Sequence, residues 1–148
     1  YSIPGIRVGW VASNTEVADI LRDYRDYTMI CAGVFDDMVA TLALENKAAI
    51  LKRNRQIVEE NLALMDAWIA KEPKASWVRP ASVSTSFVKL DVNRPIEDFA
   101  LELLQDYGVL VVPGNRFDKE SHVRIGYCCD KEVLQKGLEK LSQFLNKC

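Results

Sequence analysis

Residues 4–10 read Pro4-Gly5-Ile6-Arg7-Val8-Gly9-Trp10, and the fold turns on how they are read. The run Ile6–Ala12 is apolar apart from Arg7 and its glycine, and it has the length of a short buried strand. Ser13 and Glu16 follow at capping-box spacing. Val17, Ile20, Leu21 and Tyr24 then recur at helical intervals, so a helix is expected to about Tyr27. One strand and one helix cannot close a core by themselves, so residues 1–28 are expected to be part of a larger sheet.

Arg7 is the unusual residue of that run. Under strand alternation it shares a face with Gly5 and Gly9, and two absent side chains leave an open slot beside a guanidinium. A planar fork of donors in such a slot suits a phosphate or carboxylate, gripped through parallel hydrogen bonds. The alternative is an exposed arginine on a solvated sheet face.

Working outward, Val34 to Ala70 is helical in pattern almost throughout, with Asn46 as a break or kink. Leu51, Val58, Leu62, Met65 and Ile69 form one apolar stripe, Lys52, Arg53, Glu59 and Glu60 lie opposite, and Pro73 ends the helix. Ser84–Val92 alternates as a strand, with Val88, Leu90 and Val92 on one face and Phe87, Lys89 and Asp91 on the other. Pro95 opens a helix whose stripe is Ile96, Phe99, Ala100, Leu103, Leu104 and Tyr107, and Gly108 stops it. Val109–Val112 reads as a short apolar strand, and Pro113-Gly114 turns the chain. A third strand alternates Val123, Ile125 and Tyr127 with His122, Arg124, Gly126 and Cys128. Asp130 caps a last helix with the stripe Leu134, Leu138, Leu141 and Leu145. The last 65 or so residues are expected to form an α+β unit, a small sheet covered by two helices.

Arg124 repeats the theme of Arg7. It sits mid-strand with Gly126 on its own face and apolar neighbours on the other. If buried, it needs a partner, and an anionic ligand is one candidate; an ordinary edge-strand arginine is the other.

Composition narrows the function classes. The 148 residues are 49% hydrophobic and 27% charged, which is globular and sufficient to bury a core without disulfides. With Lys+Arg 19 against Asp+Glu 21 there is no basic excess, so neither nucleic acid nor an anionic membrane surface is an expected partner. No apolar run reaches the roughly 18 residues of a membrane span. Cys31, Cys128, Cys129 and Cys148 lack metal-site spacing and are expected to be reduced thiols of a cytoplasmic protein. A single histidine, His122, rules out a His-rich metal site. Tyr1-Ser2-Ile3-Pro4-Gly5 has no basic region leading into an apolar stretch, and no Met opens the chain. The chain is therefore expected to be a piece of something longer.

Two motifs together resemble the class I/II aminotransferases, the fold-type I enzymes that depend on pyridoxal phosphate. That family reads Ser-x-x-Lys or Ser-x-Lys, one residue, an aromatic, and a little later Gly-x-Arg-x-Gly-(Trp/Tyr). Tyr1 and Gly5-Ile6-Arg7-Val8-Gly9-Trp10 resemble the latter part of it. Pro113-Gly114-Asn115-Arg116-Phe117 and Val123-Arg124-Ile125 resemble the family's late Pro-Gly-x-x-Phe and (Val/Ile)-Arg-(Ile/Leu) segments.

The resemblance implies the C-terminal part of a fold-type I transferase. Residues 1–28 would be the last strand and helix of the large cofactor domain. Residues 29–148 would be the long connecting helix and the α+β small domain, with an antiparallel-type sheet. It implies that Arg7 holds the phosphate of pyridoxal phosphate and that Arg124 holds the α-carboxylate of an amino acid or 2-oxo acid substrate. Asn115 would support the turn or touch substrate. The Schiff-base lysine would fall two residues before Tyr1, and Lys47, Lys52, Lys71, Lys74 and Lys89 lack its context. The chain alone is thus expected to hold no catalytic residue and to be inactive, within a homodimeric parent. A carbon–sulfur β-lyase or related synthase of the same fold is the nearest alternative, and a stand-alone α+β anion-binding or regulatory module the more distant one.

Among the remaining residues, Asp23, Tyr24, Arg25, Asp26 and Tyr27 read as a solvated helix end or a partner contact. Trp68 and Trp77 read as core or interface, and Lys89 and Asp91 as solvent-facing.

Overall fold

The structure, a computed structural model, describes residues 1–81 and 83–148. They divide into two compact units, Tyr1–Asn54 and Arg55–Cys148, with the division inside a long helix.

In the first unit a 3-10 turn spans Pro4–Ile6, followed by α1 (Thr15–Thr28), α2 (Val34–Glu45) and the start of α3 (Lys47–Ile69). The strand expected over Ile6–Ala12 does not form. A strand is made by its ladder, and no described segment pairs with this one. Arg7 instead closes the 3-10 turn in the left-handed region, at φ 48°. The Gly5–Arg7–Gly9 alternation therefore does not hold. The α1 cap is also one residue later than the sequence implied: Asn14, not Ser13, accepts from the Val17 N–H at 2.9 Å. Both residue types cap well, and local geometry chose between them. The break at Asn46 is where it was expected. Its amide Nδ2 and its backbone N–H both donate to the Leu42 carbonyl, at 2.8 and 3.1 Å, which terminates α2 before α3 begins. Both helices leave apolar side chains in solvent, including Phe35 at 83% exposure and Tyr27 at 89%. Ala43 is the one hydrophobic residue of this unit that is buried among those described.

The second unit is the remainder of α3 with β1 (Ala75–Trp77), β2 (Thr85–Leu90), α4 (Ile96–Tyr107), β3 (Val112–Pro113), β4 (His122–Gly126) and α5 (Lys131–Leu145). The four strands form one antiparallel sheet in the order β1-β2-β4-β3. The period-two reading of β2 and β4 is reproduced, with Val88, Leu90, Val123 and Ile125 buried on one face. Tyr127 is buried just beyond. The helices cover that face, and three of them supply the core rather than two. Leu62 and Met65 of α3 join Ile96, Phe99 and Leu103 of α4 and Leu134, Leu138, Leu141, Phe144 and Leu145 of α5. Phe99 and Phe144 meet ring to ring at 4.7 Å. Asp130 caps α5 through its carboxylate, and Gly108 ends α4 at φ 65°, both as expected.

Two polar contacts tie α3 into this unit. Buried Asn61 donates through Nδ2 to the carbonyls of Tyr127 (2.7 Å) and Cys129 (2.9 Å), clamping the exit from β4. Trp68 donates to the Ser142 hydroxyl at 2.8 Å, and Ser142 donates to buried Glu72 at 2.6 Å. Trp68 is thus a structural residue, and Trp77 packs against the same core.

Candidate functional site

The opposite face of the sheet is open, and its residues follow from the register. Phe87 of β2 lies opposite Arg124 of β4, Lys89 opposite His122, and Thr85 opposite Gly126. Val112 of β3 faces Arg124 from the other side. A central arginine is thereby flanked by an aromatic and an aliphatic strand neighbour. At Gly126 an added Cβ would meet nothing within 4 Å, so the slot that the sequence implied beside Arg124 exists.

The Arg124 guanidinium makes no hydrogen bond and no ion pair with any described residue. Its guanidinium lies over the Phe117 ring, 5.1 Å from the centroid. Phe117 meets Phe87 edge to face at 5.9 Å, and Phe87 stacks on the His122 imidazole at 4.9 Å. The Phe117 ring quadrupole attracts the cation without consuming its N–H donors. The fork therefore keeps its donors for an anion in the open space above the sheet. Burial, and secondarily the charges of Lys119 and Lys89, push the His122 pKa below its ordinary value. The imidazole is thus neutral near pH 7, and its stacked face is apolar.

Phe117 comes from the 3-10 turn Gly114–Phe117. Gly114 is required there: a Cβ would overlap the backbone carbonyls of Lys119 and His122. The Lys119 N–H donates to the Gly114 carbonyl at 3.0 Å, and Asp118 ends the turn at φ 56°. Asn115 donates to Glu97 Oε2 at 2.6 Å, and Arg116 donates to Glu97 Oε1. The Asn115 hydrogen bond chiefly holds the Glu97 carboxyl below the usual carboxylate range; desolvation opposes it and the Arg116 charge reinforces it. Asn115 Oδ1 is buried and accepts no hydrogen bond from a described residue.

Arg7 sits in the other unit. Its backbone N–H and Nη1 donate to one acceptor, the Pro4 carbonyl, at 3.3 and 3.0 Å. No described carboxylate pairs with it, and the positions of Gly5 and Gly9 are open. An exposed guanidinium with most of its fork unspent fits a phosphate chemically. The Asp23–Tyr27 cluster is exposed, as a solvated helix end would be, and Lys89 and Asp91 are exposed too. All four cysteines are exposed and free.

Sequence reasoning singled out Arg124 and Asn115, and Phe117 only as the end of a motif, but missed Glu97 and the stack of Phe87 on His122. An aromatic on the polar face of an alternating strand was the available signal for Phe87. Glu97 carried none, because its partners lie 18 and 19 positions away.

In class, this is an α/β fold with helices on one face of an antiparallel sheet and a cation on the other. Residues 1–141 match the family model described as aminotransferase class I and II, and the chain belongs to that family. It is 30% identical over 98% of its length to capreomycidine synthase of Streptomyces vinaceus, covering 38% of that protein. It is 27% identical over 99% of its length to the probable N-acetyl-LL-diaminopimelate aminotransferase of Bacillus subtilis, again covering 38%. A solved PLP-dependent aminotransferase from Streptococcus suis superposes with a TM-score of 0.94 and 66% identity, over 99% of this chain and 39% of that one. The chain thus spans about two fifths of the length of the proteins it matches. No described helix is long and apolar enough to cross a membrane.

Proposed function

We propose that the protein carrying this chain is a pyridoxal-phosphate-dependent aminotransferase that moves an amino group between an amino acid and a 2-oxo acid. The observation that carries the reading is Arg124: a guanidinium with no described partner, seated on an aromatic ring at the centre of an open sheet face. Family membership and the likeness to the Streptococcus suis enzyme support it.

In this reading Arg124 grips the substrate α-carboxylate through parallel N–H donors. That grip fixes the direction in which the substrate amine projects, a positioning effect. Asn115, in the same turn as Phe117, is assigned a secondary substrate contact. Arg7 holds the phosphate of pyridoxal phosphate, which when bound supplies the electron sink of the reaction. The tethering lysine is assigned outside these 148 residues, since none of their lysines has the motif around it. The chain alone is accordingly inactive, residues 1–28 belong to a cofactor domain, and residues 29–148 to a connecting helix and small domain. The exposed apolar residues of α1 and α2 support assembly into a larger protein, taken here as a homodimer.

A second reading keeps the cofactor and changes the outcome: a synthase or lyase of the same family. The likeness to capreomycidine synthase favours it. Product analysis on the full-length protein separates the two. An aminotransferase needs an oxo-acid acceptor and yields a new amino acid. Turnover of the amino acid without any acceptor defeats the first reading. Arg7→Ala is expected to lower retention of pyridoxal phosphate through gel filtration, read from its absorbance, and unchanged retention removes Arg7 from the phosphate site.

A further inference from the structure

The open face contains a connection that the carboxylate reading does not require. Glu97, the second residue of α4, holds both Asn115 and Arg116. Those two residues make up the middle of the turn whose last residue is Phe117. Gly114 fixes the other end of the turn against the Lys119 and His122 carbonyls. The turn therefore has little freedom, and the Phe117 ring is the surface on which the Arg124 guanidinium rests. Phe87 braces that ring from the neighbouring strand.

We infer that Glu97 and Phe117 are positioning residues: Glu97 pins the turn, the turn holds the Phe117 ring, and the ring orients the Arg124 fork for a carboxylate. This rests on the carboxylate role of Arg124 proposed above. A long arginine side chain without a fixed partner samples many rotamers, and each immobilised on binding lowers affinity. A ring that pre-orients the fork reduces that loss while leaving every N–H free for the ligand. The design separates two demands that an acidic partner would set in conflict, since a carboxylate orienting Arg124 would also occupy its donors.

The test uses the full-length protein and butyrate as the carboxylate probe, with butyramide as its uncharged counterpart, titrated by ligand-observed NMR. Arg124→Gln is expected to abolish the preference for butyrate. Phe117→Leu and Glu97→Ala are expected to weaken butyrate about two- to fivefold, the range an exposed cation–π contact supports. Neither should move butyramide. Phe117→Tyr keeps a ring face and should restore affinity to within about twofold of the parent. A merely structural role predicts equal loss for both probes and no rescue, and that result overturns the inference. If Arg124→Gln loses the preference while Phe117→Leu retains it, the relay is wrong and the carboxylate role stands. Loss with Phe117→Leu but not Glu97→Ala removes Glu97 from it. If Arg124→Gln itself changes nothing, the carboxylate reading fails and the relay with it.

Discussion

Gly114→Ala is the substitution whose consequence the fold defines most sharply. The new methyl would overlap two carbonyl oxygens, those of Lys119 and His122, and both belong to backbone rather than to a side chain that could rotate aside. Forcing a carbon into such a site costs about 1–3 kcal/mol in strain and displacement. The turn can yield only by moving off its partners, including the 2.6 Å hydrogen bond from Asn115 to Glu97. Gly126→Ala is the matched control. Its Cβ would meet nothing within 4 Å and its backbone is not left-handed, so the restricted unfolded chain should make it neutral or stabilising, by at most about 1 kcal/mol. The assay is amide hydrogen exchange of the β4 amides in the full-length protein. At 1.36 kcal/mol per decade, Gly114→Ala should lower protection by about 5- to 150-fold, while Gly126→Ala leaves it equal or higher. Equal protection in the two variants would refute the claim that Gly114 is required by close approach.

Asn61→Ala should destabilise the second unit by about 1–3 kcal/mol, because two carbonyls lose their shared donor beneath Tyr127; an unchanged urea midpoint would argue that water replaces the amide. Phe99→Ala removes a fully buried ring packed on Phe144 and should cost about 3–5 kcal/mol by the same measurement, a loss under 1 kcal/mol contradicting the core assignment. His122 should titrate below its unfolded value of about 6.5, since burial disfavours its charged form. The unfolded chain then binds more protons in the window just below 6.5. The His122 contribution is therefore intact above that pH and lost as pH falls through the folded pKa. An imidazole NMR midpoint at or above 6.5 would show that the ring stacked on Phe87 is not desolvated.

How much of this was readable in advance depended on whether the deciding interactions were local. The α2–α3 break was readable because Asn46 is its own stop signal, with its amide and N–H turned back on Leu42. The α5 stripe was readable because Leu134, Leu138, Leu141 and Leu145 repeat at a spacing that only a helix brings to one face. Strand positions were readable only where a described segment pairs with them. Ile6–Ala12 carries strand composition but finds no described partner, whereas Ala75–Trp77, too short to show a period, becomes a strand because Val88 to Leu90 pair with it. Composition supplies a preference, and the ladder supplies the structure.

The candidate site divides in the same way. Arg124 and Phe117 could be marked from motif and alternation. Their relation could not, because it is made across a turn and a strand pair. The cation–π contact requires β4 in register with β2 and β3, a glycine at 114 to admit the Lys119 and His122 carbonyls, and a helix N-terminus at Ile96 that delivers Glu97 to Asn115. Each of these was individually visible as a strand, a Pro-Gly turn or a helix start. Together they place an arginine with its charge over an aromatic face and its side-chain hydrogen bonds unmade. That imbalance distinguishes Arg124 from Arg79, Arg94 and Arg116, each of which directs a guanidinium nitrogen at a carboxylate. The unspent donors at Arg124, more than its charge, make it the residue to test first.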